Sequence, residues 1–368
     1  MCRKHQTRSL SASTSLLQFC NITASIRVVS ATMESKKAWS LRRKFVIGIV
    51  TLLCILALAI GLGLGLTLGR GDADDSDSPP PSLSPLPSAP AGPLWTPKVN
   101  DTWQIILSHP PVVGSGDTGV TPDVSIFDID LFDTPAETIA RLQRMGKKVI
   151  CYFSAGSYED WRDDAKDFLP ADLGNGLEGW AGEKWLKLGS ENVRAIMKKR
   201  IQLAKDKGCD GVDPDNVDGY QNDNGLSLTQ QDSIDYISFL SSITQPLNLT
   251  LGLKNSGDII SAVLPIVHFS VNEECVKYRE CTTFKPFIDA GKPVFHIEYP
   301  DDAGEGETAT QGLPQDVVDQ FCSRTSSGAG SEGFSTVLKK MELDGWVEYC
   351  NTSVHNTAID SSVGDHGQ

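Results

Sequence analysis

Histidine is scarce in this sequence, with six in 368 residues, and none sits in an HxxxH or HxH pair. A zinc hydrolase needs two or three closely placed imidazoles, so that chemistry fits poorly. Ser154-Ala-Gly156 lacks the GxSxG elbow of a serine hydrolase. No glycine-rich turn opens a helix after an early strand, because Gly114, Gly116 and Gly119 follow a proline pair. That speaks against a dinucleotide-binding open sheet. The acids show no complete calcium-loop spacing either. Neither a metal nor an organic cofactor is expected. Basic charge is concentrated at one end: residues 1–44 hold nine Lys/Arg and one acid, a surplus of +8, so the rest must carry −22 for the chain to total −14. So acidic a body is a poor partner for nucleic acid and a good one for a polycation.

One long apolar run stands out. Phe45–Leu68 is 24 residues without a charge, enough to cross a bilayer core with some tilt. LRRK precedes it, and Asp72, Asp74, Asp75 and Asp77 follow. The Lys/Arg bias places residues 1–44 in the cytosol and everything after residue 69 outside or in the secretory lumen, a type II arrangement at the plasma membrane or along the secretory pathway. The expected organisation is a basic tail over 1–44, a signal-anchor helix in lipid over 45–68 and a linker over 69–97. A folded head over 98–352, expected to be monomeric, and a short tail over 353–368 complete it. The linker contains SPPPSLSPLPSAPAGP, which cannot build a core and favours extended conformers. Six of the nine cysteines lie beyond the anchor, in an oxidising compartment. Cys275 with Cys281 and Cys322 with Cys350 are the expected bridges. Cys151 and Cys209 either pair across neighbouring strands or stay as buried thiols. Asn248 and Asn351 head N-x-Ser/Thr acceptor sites for glycans.

From Trp103 onward, short β-branched or aromatic runs recur, most followed by stretches able to form helices. They are Trp103–Leu107, Val124–Leu131, Lys148–Ser154, Cys209–Asp215, Leu249–Asn255, His268–Glu273, Pro293–Tyr299 and Phe334–Lys339. Continuous apolar character is what strands covered on both faces require. Helices are expected over Pro135–Met145 with Thr134 as N-cap, Glu191–Lys207 closed by Gly208, Thr229–Thr244 and Pro314–Ser323. Eight strand–helix units predict an α/β fold of the (β/α)8 TIM-barrel type.

Barrel chemistry sits at the C-terminal strand ends. Those ends offer Asp128 and Asp130; Tyr152 and Ser154; Asp213, Asp215 and Asn216; Lys254 and Asn255; Glu273 and Glu274; and His296, Glu298 and Tyr299. The densest stretch, GCDGVDPDNVDGY at 208–220, packs Asp210, Asp213, Asp215 and Asp218 into nine residues. Such crowding calls for a cation, unless the stretch is an Asx-rich turn. Two carboxylates across one sugar linkage are the requirement of glycoside hydrolysis. Asp215 and Glu273 are the candidate pair, with Glu298 in reserve. Trp161, Trp180, Trp185 and Tyr220 offer stacking surfaces for sugar rings or serve as core.

KVICYFSAGSYEDWRDDA (148–165), GCDGVDPDNVDGY (208–220), LGLKN (251–255), VNEEC (271–275) and KPVFHIEYP (292–300), with IFDIDLFDTP (126–135), closely resemble the endo-α-1,4-polygalactosaminidases. The likeness covers about Trp103–Lys340. It implies a (β/α)8 glycoside hydrolase acting on a cationic galactosamine-containing polysaccharide, with Asp215 as nucleophile and Glu273 as acid/base. It also implies that Asp128, Asp130, Asp213, Asp218, Lys254, Asn255, Glu274 and Glu298 line sugar subsites. The alternative is a non-catalytic cell-surface protein that binds carbohydrate in the same cleft.

Overall fold

The computed structural model describes residues 93–114 and 119–363; the expected tail, anchor and nearly all of the linker lie outside them. Among the described residues no helix is long and apolar enough to cross a membrane.

Each of the eight apolar runs forms a strand. They are β1 (Trp103–Ile106), β2 (Ile126–Asp130), β3 (Lys148–Ser154), β7 (Gly211–Asp215), β8 (Thr250–Lys254), β9 (Phe269–Glu273), β10 (Val294–Glu298) and β11 (Ser335–Leu338). They pair in parallel in that order. Between β3 and β7 a separate small antiparallel sheet contains β4 (Ser157–Glu159), β5 (Leu173–Gly176) and β6 (Glu183–Leu186). The main sheet then departs from a simple eightfold barrel. β11 pairs antiparallel with β12 (Trp346–Tyr349), which pairs with β13 (Val354–Asn356), giving ten strands. The stretch expected as a free tail after residue 352 thus contributes a strand.

The sheet curls. Alternate side chains of a strand face opposite ways, and here they sort into two apolar layers. Trp103, Ile105, Ile126, Ile150, Phe269, Val271, Phe295, Ile297, Val337 and Val347 fill the inside of the curve. Phe127, Ile129, Val149, Phe153, Val212, Leu251 and Leu253 face outward, among helix residues such as Ile139, Ile196 and Tyr236. Trp103 of the first strand meets Phe295 of β10 with ring centroids 5.0 Å apart. The edges meet through side chains: the Trp103 indole donates to the Ser335 carbonyl at 2.7 Å, and the Tyr349 hydroxyl donates to the Trp103 carbonyl at 2.9 Å. No backbone ladder joins β1 to β11 among the described residues.

The long helix Glu191–Lys207 begins at Ser190, whose hydroxyl accepts from the Val193 N–H, and ends at Gly208 in the left-handed region. Thr229 and Asp232 form a capping box for the helix Gln230–Thr244. The first expected cap is different. Pro135 is extended and occupies the cap position of Ala136–Arg144, so Thr134 lies one residue too early and its buried hydroxyl caps nothing. Disulfides join Cys151 to Cys209, Cys275 to Cys281 and Cys322 to Cys350. Asn351 is exposed; Asn248 is half-buried in the turn before β8.

Candidate active site

The inward column of each strand decides what reaches the C-terminal rim. On β7, Val212 faces the helices, so Gly211, Asp213 and Asp215 turn inward. On β8, Leu251 and Leu253 face the helices, which sends Lys254 inward. Phe269 and Val271 line the interior, so Glu273 follows them two residues on. Ile150 does the same for Tyr152, and Phe295 and Ile297 for Tyr299. Three of these strands are followed at once by a residue with positive φ: Asn216 at 61°, Asn255 at 45° and Glu274 at 60°. Each turns the chain aside at once, leaving the preceding side chain at the rim. Gly156 is required beside Asn216, because a Cβ there would lie 1.7 Å from the Asn216 carbonyl oxygen.

Lys254 is the centre of this arrangement. Its ammonium is buried, 3.0 Å from Asp215 Oδ2 and 3.5 Å from Glu273 Oε2. The two carboxylate oxygens therefore cannot be further apart than those distances laid end to end. Asp215 also accepts from the Tyr152 hydroxyl at 3.0 Å and from the Asn216 backbone N–H at 2.6 Å. Glu273 accepts from the Asn255 amide at 3.1 Å and from the Tyr299 hydroxyl at 2.5 Å. Burial, then the charge on the carboxylates they face, pushes both phenols well above their ordinary range, so they stay donors. Burial pulls the Lys254 ammonium down, but Asp215, Glu273 and Asp213 outweigh it and hold the group charged.

Asp213 and Asp128 lie beneath the rim, fully buried, and none of their carboxylate oxygens has a hydrogen-bond partner. Burial lifts Asp213 to about 7 despite the pull of Lys254. Asp128 is raised well above its usual value by burial and then by the Asp213 charge. They do not reach the cleft, contrary to the expectation that they contact sugar. Asp218 does line it, and burial with the Asp215 charge pushes it up to about 6. Asp130 lines the cleft but is held by Arg162 at 2.7 Å and caps the Phe132 and Asp133 N–H groups. Glu274 faces an adjoining opening and pairs with Lys277.

Two expected contacts fail. Glu298 follows Ile297, an interior residue, so parity turns it to the helix side. There it is fully buried, accepting from the Val276 N–H at 2.6 Å with His296 Nε2 at 2.8 Å. Tyr220 sits in a short 3-10 turn, half-buried against the helix-side core, and does not line the cleft. Of the tryptophans, Trp180 is 38% exposed at the cleft wall, Trp185 is buried against Gly219, and Trp161 packs near Gly182. Cys275, Cys281 and His296 lie close together, but both sulfurs are joined to each other, leaving one imidazole and no metal-binding set.

The sequence reading missed Glu183, Glu159 and Arg162, which line the same cleft. Arg162 and Glu159 lie inside the YEDWRDDA stretch. Glu183 sits in a glycine-rich insertion with no periodicity to mark it.

Residues 85–355 match the model of glycoside-hydrolase family GH114. The crystal structure of Aspergillus fumigatus Ega3 in complex with galactosamine is 50% identical. It aligns over 70% of this chain and 97% of that one with a TM-score of 0.64. The glycoside hydrolase domain of PelA from Pseudomonas aeruginosa aligns at 13% identity, over 66% of this chain and 95% of that one, with a TM-score of 0.49. No curated relative matches. The chain belongs to glycoside-hydrolase family GH114 and is a glycosidase.

Proposed function

We propose that this enzyme cleaves α-1,4-galactosaminidic bonds in polygalactosamine or in de-N-acetylated stretches of galactosaminogalactan, with Asp215 as nucleophile and Glu273 as acid/base. One observation carries the division of labour: a single buried ammonium stands within 3.5 Å of both carboxylates, nearer to Asp215. The separation this imposes suits the roughly 5–5.5 Å of retaining enzymes and lies at or below the lower edge of the roughly 6.5–9.5 Å that inverting enzymes use. Asp215 lies nearer the ammonium and is the less exposed of the two. It attacks the anomeric carbon while Glu273, the more open of the two, protonates the departing sugar oxygen. Glu273 then takes a proton from the water that hydrolyses the glycosyl ester.

The substrate class is supported by the acid-rich cleft and by the galactosamine bound to the half-identical Ega3. A free C2 amine is a cation that such a cleft attracts. It also lacks the acetyl oxygen that substrate-assisted catalysis would use, so the protein must supply the nucleophile. We read the fold as a (β/α)8-type barrel whose seam is held by Trp103, Ser335 and Tyr349. The head stands outside the cell or in the lumen on its proline-rich linker, anchored by residues 45–68 and carrying glycans at Asn248 and Asn351.

The test is hydrolysis of defined galactosamine oligomers. D215N and E273Q are each expected to lose about 10³-fold in rate or more. The first product of the wild type is expected as the α-anomer by NMR. Undiminished turnover in either variant refutes the pair, and a β-anomer refutes the nucleophile.

A further inference from the structure

The acids that line the cleft differ in whether the protein neutralises them. Asp215 and Glu273 share Lys254. Asp130 and Glu159 are ion-paired with Arg162, and Glu159 also with Arg200. Among the described residues, Glu183 and Asp218 have no ion pair. The Glu183 carboxylate accepts one hydrogen bond among the described residues, from the Ser157 hydroxyl at 2.7 Å. Its placement is costly as well. β4 and β6 run antiparallel with Glu159 directly opposite Glu183, and like charges in that relation destabilise a sheet. The charged groups acting on Glu183 are Glu159 and Asp215, which oppose its ionisation, and Arg162, which favours it.

We propose that Glu183 reads the free amino group of the sugar in the cleft, forming an ion pair with its C2 ammonium. The assignment rests on the galactosamine substrate proposed above. Glu183 is 8% exposed and lines the same cleft as Asp215, Asn216 and Trp180. An N-acetylated sugar offers no cation there, and its acetyl group would leave a buried carboxylate unneutralised. Burial lifts the Glu183 carboxyl to about 7 in the free protein. The ion pair needs Glu183 ionised and the sugar amine protonated, so recognition of the amine fades as pH falls through that value and again at higher pH as the amine loses its proton. Asp213 and Asp218 titrate nearby, at about 7 and about 6, so the difference between variant and wild type is the informative quantity.

The experiment compares wild type, E183Q and S157A on galactosamine oligomers and on partly N-acetylated oligomers of equal length, from pH 5 to pH 8. E183Q is expected to raise KM about tenfold on the free-amine oligomers. Its kcat should stay near wild type, its KM on acetylated chains should move least, and its 1/KM should no longer rise between pH 5 and pH 7. S157A, which keeps the carboxylate, should retain the preference for free amines. An equal KM rise on both substrates, a fall in kcat alone, or the same behaviour in S157A would overturn the proposal, since each marks a structural role passed through Ser157 to Asn216, whose amide donates to the Ser157 hydroxyl at 2.9 Å. If E183Q loses its cooperative melting transition, E183D carries the test. An intermediate KM confined to free-amine oligomers supports the assignment, and a wild-type KM on both refutes it. Wild-type failure on galactosamine oligomers would sink the substrate reading itself, and this proposal with it.

Discussion

Two charge clusters face one cleft, both richer in carboxylate than in cation but served by different cations. Around Arg162 and Arg200, the acids Asp130, Asp133, Glu159 and Asp164 meet two guanidinium groups, and both arginines stack over Phe132. Around Lys254, the acids Asp215, Glu273, Asp213 and Asp128 share one ammonium. The first cluster gives each pair of carboxylates a guanidinium group and joins the small inserted sheet to the strand ends. The second gives four carboxylates one ammonium, and two of them, Asp215 and Glu273, open on the cleft. Two rim carboxylates sharing a single cation, rather than charge itself, mark the chemistry.

The comparison can be broken from either side. The largest effect is expected on stability. R162M leaves Asp130 buried without its cation and Glu159 with Arg200 alone, and a broken buried pair costs about 3–5 kcal/mol. Thermal melting should show that loss, while kcat of the folded fraction falls by much less than in a Lys254 variant. If R162M melts like wild type, the first cluster is not the structural one. K254M comes next. It removes the cation that holds both carboxylates, and initial rates are expected to fall about 10²-fold, with melting changed less than in R162M. A rate near wild type would separate Lys254 from the reaction. The smallest effect belongs to D213N. Asp213 titrates at 3.8 when unfolded and about 7 when folded, so the folded state binds the extra proton between those values and wild-type stability declines as pH rises through that window. D213N should flatten the decline, gaining on wild type from pH 4 to pH 7 in melting temperature. A parallel pH profile would show that Asp213 is not the group responsible.

Much of this was legible because parallel strands covered on both faces leave unbroken apolar runs, and all eight were visible as such. The candidate pair was legible too, since Asp215 and Glu273 end two of those runs. The small sheet at 157–186 was not: its strands are three or four residues long and broken by glycine and asparagine. Glu183 disappeared with it. Nor were β12 and β13 read, being equally short. Glu298 is a different failure. KPVFHIEY alternates plainly, and counting by twos from Phe295 and Ile297 puts Tyr299 inside and Glu298 outside. Residue type suggested a role that parity had already denied. The buried pair Asp128 and Asp213 failed on depth instead: both lie on the correct face, two residues below the rim.

That same alternation limits how the protein can change over time. Loops beyond the strands can lengthen or shorten without disturbing the reacting groups. A single-codon insertion or deletion inside β7, β8 or β9 cannot be absorbed so easily. It would exchange the two faces from that point on, turning Asp215, Lys254 or Glu273 into the helix layer and bringing a neighbour such as Val212, Leu253 or Asn272 to the centre. Drift in these three segments is confined to substitution.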